Sequence, residues 1–127
     1  MARADVRTFA FRYGSLRPLL SVLGMGPGLS RIEVGPDAVD VRMGWAFQAT
    51  IPRPAIMAAV RRTGLVGGIG VHGWNGRWLV NGTTTGLVTL EIDPPARAHM
   101  IVPAHLRQLT MSLEDPDGFL AALGAVA

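Results

Sequence analysis

The stretch from Gly64 to Ile92, GLVGGIGVHGWNGRWLVNGTTTGLVTLEI, most constrains this fold, because its glycines cut the apolar runs to lengths that suit strands and not helices. Gly68, Gly70 and Gly73 spell a literal G-x-G-x-x-G. A dinucleotide fingerprint needs a helix after those glycines, since the helix N-terminus holds the pyrophosphate. Here Gly73 is followed by Trp74, Asn75, Gly76, Arg77 and Trp78. That composition opposes helix nucleation, and Asn-Gly between apolar runs is a hairpin signal. The segment reads as a β-meander with strands over Gly64–His72, Arg77–Asn81 and Leu87–Ile92.

The flanking sequence has the same character. Phe9, Phe11 and Tyr13 alternate with polar or small residues, which is strand patterning. From Leu16 to Leu29 an apolar loop or short helix is inserted, capped by Ser15 and ended by Gly24. Arg31–Val34 and Ala38–Met43 form a hairpin about Gly35-Pro36-Asp37. Val39, Val41 and Met43 face inward, and the alternation is expected to continue inward through Trp45, Phe47, Ala49 and Ile51 until Pro52 and Pro54. Ala55–Arg62 reads as a helical or irregular crossover. Pro94 and Pro95 are expected to end the third meander strand, with Ala98–Val102 and Arg107–Leu113 as the last extended stretches.

Asp115 as N-cap, Pro116 as first helical residue and the stripe Phe119, Leu120, Leu123 announce a C-terminal helix over 115–126. With 127 residues there is room for one domain and one core. The fold class is therefore mainly β, a small antiparallel barrel or sandwich of about seven strands capped by one C-terminal α-helix.

Three runs of residues carry a resemblance. They are A-x-I-P-x-x-x-I at Ala49, Ile51, Pro52 and Ile56, G-V-H-G-W-x-G-R-W-L-V-N-G from Gly70 to Gly82, and the closing E-D-P-D-G-F-L-A-A-L. From Ser30 to Ala127 the chain resembles the bacterial pleckstrin-homology-like (PH-like) domains, and more narrowly their uncharacterised actinobacterial members. The resemblance implies a PH-like fold. Its motifs are turns and core positions, so it implies no functional residue.

Chemistry is sparse. Without cysteine there is neither a disulfide framework nor a thiolate zinc site. Ser15, Ser21, Ser30 and Ser112 lie in no nucleophile-elbow context, and His72, His99 and His105 have no ligand spacing. These observations imply a non-catalytic chain with no metal and no cofactor. All twelve basic residues are arginine, nine acids oppose them, and the net charge is only +3. The isoelectric point near 11.0 reflects the lack of lysine and cysteine. No basic cluster exceeds Arg61–Arg62, which argues against nucleic acid and allows membrane contact that is peripheral at most. No apolar run reaches the roughly 18 residues of a membrane span, and nothing secretory opens the chain, so a cytoplasmic location is expected.

Two functional expectations follow. The first is an interaction module that meets a protein partner or a second copy through Leu19, Leu20 and Leu23 of the apolar loop, unless that loop is a lid on its own barrel. The second is a small anionic ligand or an anionic membrane held by Arg61, Arg62 and Arg77 with His72 and Trp74 of the Trp74–Trp78 turn, with Arg31 and Arg42 gathered at the same rim.

Overall fold

In the computed structural model, residues 6–15, 17–62, 70–83, 85–99 and 103–124 are described. They form β1 (Arg7–Phe9), α1 (Arg17–Val22), β2 (Ser30–Val34), β3 (Ala38–Met43), β4 (Phe47–Pro52), β5 (Ile56–Arg62), β6 (Gly70–Trp74), β7 (Arg77–Asn81), β8 (Leu87–His99), β9 (Ala104–Ser112) and α2 (Pro116–Ala122). The order in the sheet is β1-β2-β3-β4-β8-β9-β7-β6, with β5 attached to β8. This path does not close into a barrel, and the architecture is that of a β-sandwich with a helical cap.

Alternation drives the first half. In β2, β3 and β4 every second residue is buried: Ile32 and Val34, then Val39, Val41 and Met43, then Phe47, Ala49 and Ile51. The residues between them stay in water, as expected of an antiparallel sheet with one wet face. Gly35 N–H donates to the Ala38 carbonyl at 2.9 Å across the expected β2–β3 turn. Asn75 and Gly76 both take positive φ, 54° and 81°, which gives the β6–β7 hairpin the backbone that Asn-Gly favours.

The second half is organised by β8, where Leu87, Val88, Thr89 and Leu90 are buried in succession. Both faces of the strand are therefore covered. Thr89 fits because its hydroxyl and that of Thr110 lie 2.8 Å apart and satisfy each other. Pro94 and Pro95 do not end this strand. The β8–β9 register shifts between Glu91 and Ala96, so the prolines fall in a gap where the ladder needs no N–H from them. Beyond the gap Ala96 and Ala98 return to the core, and β8 gains a second neighbour through Gln48↔His99 and Ala49↔Ala98.

The structure corrects other expectations. Ala55–Arg62 is not a crossover: Arg53–Ala55 makes one 3-10 turn, and Ile56–Arg62 is strand β5, paired with β8 from Ile92 to Leu87. Its β-branched Ile56 and Val60 suit a strand, and pairing outweighs the helical look of its alanines. Among the described residues there are nine strands, where about seven are expected. One pair, β7 with β9, is parallel. The expected strand ends at 64–69 and 100–102 lie outside the described residues, as do Leu16 and positions 125–127 of the closing helix.

The cap behaves as its sequence suggests. The Asp115 carboxylate accepts from Gly118 N–H at 3.0 Å, and Phe119 and Leu120 enter the core. Phe119 meets Phe9 edge-on with ring centroids 5.6 Å apart. At the other end of α2, Arg53 donates to the Ala122 carbonyl at 3.3 Å and to the Gly35 carbonyl at 3.0 Å, tying the helix C-terminus to the β2–β3 turn. Replacing Phe119, which is fully buried, by alanine is expected to cost about 3–5 kcal/mol. Urea unfolding followed by circular dichroism measures it.

Candidate interaction surface

Between β1 and β2 the chain leaves the sheet and builds a tip. The approach is made by residues 10–14, which bridge to the far strands: Phe11 opposes Leu113, and Tyr13 opposes Gly82. Helix α1 then turns one face inward, with Leu20 buried at 4% exposure, and Gly24 ends the turn at φ 82°. Leu20 is thus a core-side anchor and is not available to a partner. Its neighbours behave differently: Leu19 is 52% exposed, Val22 83% and Leu23 47%.

Trp45 belongs to this tip and not to the core. Alternation predicts it inward, but Gly44 at φ 53° turns the β3–β4 connection outward and leaves the indole 61% exposed. Leu29, 58% exposed, adjoins it through the bond from Gly44 N–H to the Leu29 carbonyl at 3.0 Å. A Cβ on Gly44 would fall on the Gly24 carbonyl oxygen, so no other residue permits this approach. Leu19, Val22, Leu23, Leu29 and Trp45 form one apolar end of the molecule. Arg17 opens α1, Arg31 follows Leu29 by two residues and Arg42 precedes Trp45 by three, and the segments that build the tip, 14–32 and 41–49, contain no acid.

The tip's polar groups are spent on holding it. Trp45 Nε1 donates to the Leu23 carbonyl at 2.6 Å. Tyr13 Oη donates to the Met25 carbonyl at 2.7 Å, and Ser30 Oγ to the same carbonyl at 3.3 Å. Met25 N–H reaches the Leu20 carbonyl at 2.8 Å. The surface left over is hydrocarbon on a braced frame. Trp45 is the member that sequence reading misses, because the alternation that runs from Val39 to Ile51 hides the turn at Gly44.

The arginines expected at one rim are dispersed. Arg31 and Arg42 do stand opposite each other on β2 and β3, beside a shallow depression of about 260 Å³ shared with Glu33, Asp40 and Gln48. Arg31 pairs with Glu33 at 3.3 Å, and Arg42 donates to Gln48 Oε1 at 3.2 Å. Arg61 lies elsewhere, joined to Asp117 of α2 at 3.0 Å, and Arg62 is exposed beside it on β5. Arg77 starts β7, separated from β5 by β8 and β9. Arg107 joins it there, its side chain lying over Gly76. His72 and Trp74 pair through their backbones with Leu79 and Arg77, and their side chains lie outside the described residues. Gly73 between them admits Trp78, whose ring packs against the core. Among the described residues no three His, Asp or Glu side chains group to hold a metal ion, and no helix is long and apolar enough to cross a membrane.

Burial raises the Tyr13 pKa above its ordinary 10.0, opposed by the Ser30 hydroxyl and the Arg17 charge. The unfolded chain then ionises first. Tyr13 therefore stabilises the fold fully below the ordinary tyrosine pKa, and that contribution is lost as pH rises through the higher folded value. It is the only tyrosine, so phenolate absorbance reads it directly, and a midpoint above 10.0 in the folded protein is expected. Gly44→Ala is expected to destabilise by about 2 kcal/mol or more and to shift Trp45 fluorescence, because the turn and the Gly24 contact cannot both survive. Thermal melts with fluorescence detection check both effects. Compared with protein-family models, curated proteins and solved structures, the chain matches none.

Proposed function

We propose that this chain is a non-catalytic interaction module that docks onto another protein through the tip formed by α1 and the β3–β4 turn. The observation that carries the reading is the inversion of polarity there. Five large apolar side chains stand in water while the neighbouring carbonyls, indole N–H and phenol are turned inward and paired. A soluble chain rarely sustains such a cluster without a use for it.

The chemistry specifies the partner. An apolar groove would receive Leu19, Val22, Leu23, Leu29 and Trp45, and acidic side chains at its margin would meet Arg17, Arg31 and Arg42. The frame is fixed before contact, so little ordering entropy opposes docking. A cytoplasmic location agrees with the absence of cysteine.

Affinity capture from native lysate, with the wild-type chain and a Leu19→Asp/Val22→Asp variant, tests this. Both positions are exposed, so the variant is expected to melt within a few degrees of wild type. At least one protein retained in stoichiometric amount by wild type alone is expected. Identical captured sets would remove the tip from the reading. Salt-sensitive binding to acidic vesicles with no protein captured would replace it with the anionic-membrane alternative.

A further inference from the structure

The chain has two asparagines, Asn75 and Asn81, and a glycine follows each. Such a pair is open to deamidation, because a residue without Cβ lets its own peptide nitrogen approach the preceding carboxamide. The fold treats the two pairs in opposite ways. Asn81 is 0% exposed at the end of β7, and its Nδ2 donates to the Thr83 carbonyl at 2.7 Å. Gly82 N–H donates to Ser112 Oγ at 2.9 Å, and Gly82 lies so close to the Tyr13 ring that a Cβ there would strike it. Both reacting groups of that pair are held in place.

At the β6–β7 turn neither is held. Asn75 is exposed, and among the described residues neither its carboxamide nor Gly76 N–H has a hydrogen-bond partner. The Gly76 carbonyl, by contrast, accepts from Arg107 N–H at 2.8 Å and from Gln108 N–H at 3.1 Å. The turn is therefore anchored to β9 by its carbonyl, while the nitrogen that would attack is left to solvent.

We infer that Asn75 is a site of spontaneous deamidation and that Asn81 is protected from it. Gly76 N attacks Asn75 Cγ and gives up its proton to water, the Cγ–Nδ2 bond breaks, and ammonia leaves after taking a proton from solvent. A cyclic imide results. Water then opens the imide at either carbonyl to aspartate or isoaspartate, and nothing is oxidised or reduced. Arg77 follows the turn and the Arg107 side chain lies over Gly76, so the negative charge of the tetrahedral intermediate develops in a cationic neighbourhood. The product carboxylate has the same neighbours and takes one unit from the net charge of +3. Water is the only co-reactant, so the change marks molecules by age. It falls at the end of β7 away from the Tyr13–Gly82 bridge and leaves the tip as it is.

Cleavage after arginine separates the two sites, since Arg77 lies between them: residues 63–77 hold Asn75 and residues 78–97 hold Asn81. Folded and urea-unfolded full-length chains are incubated side by side at neutral pH and digested, and the mass gain of each peptide is followed by mass spectrometry. The unfolded sample gives the intrinsic rate of each pair. Folding is expected to leave the rate in 63–77 within about fivefold of its intrinsic value and to slow 78–97 by at least about tenfold, because a buried segment must open before it reacts. Asn75→Gln is expected to abolish the gain in 63–77 with an unchanged circular dichroism spectrum. Slowing of 63–77 beyond that range, a gain in 78–97 that keeps pace with it, or a gain in 63–77 that survives Asn75→Gln would each overturn the proposal.

Discussion

The constraint on which this structure rests is that one strand must serve two sets of neighbours. Along its thirteen residues β8 pairs with β9 on one side and with β5 and then β4 on the other. Its first part is buried on both faces, which is why Leu87 to Leu90 carry no charge. At Glu91–Ala96 the ladder slips, and Pro94 and Pro95 occupy the slip. Without that interruption β8 could continue beside β5 or cross to β4, but not both. In the order of the sheet, β8 stands between the β2–β3–β4 strands and the β9, β7 and β6 strands.

A second link runs through the N-terminal segment. Residues after β1 cross from β2 to the far strands by single bridges at Phe11 and Tyr13. The same tyrosine then reaches forward to Met25, so the element that ties the sandwich together also supports the tip. Stability of the core and rigidity of the exposed surface are coupled in one side chain. The coupling carries a cost: part of the phenol's burial is devoted to keeping apolar surface outside.

Much of this fold was legible in the sequence. Alternation in β2 to β4, the Asn75–Gly76 turn and the Asp115–Pro116 helix start are local signals, and local chemistry decides them. Three features were hidden for one reason, that their outcome depends on distant partners. Ile56–Val60 is helical by its alanines and a strand only because β8 has an open flank. Pro94 and Pro95 look like terminators unless the register gap in β9 is known. Trp45 follows the period of its neighbours until Gly44 meets Gly24, a contact twenty residues away in sequence that no window reveals. Of the candidate contacts, Leu19 differs from Leu20 by its place around α1, and Leu23 lies past the end of that helix, neither of which composition encodes.

The bond from Trp45 Nε1 to the Leu23 carbonyl has a consequence for selectivity. An indole usually brings a donor to an interface and rewards a partner that offers a carbonyl or carboxylate to it. Here the donor is already used within the chain, so whatever approaches meets the ring as carbon alone. A groove built to accept a hydrogen bond from tryptophan would bury an unsatisfied acceptor against this tip and be disfavoured by about 1–3 kcal/mol. By keeping its one polar atom occupied, Trp45 discriminates against the kind of pocket that most tryptophans prefer.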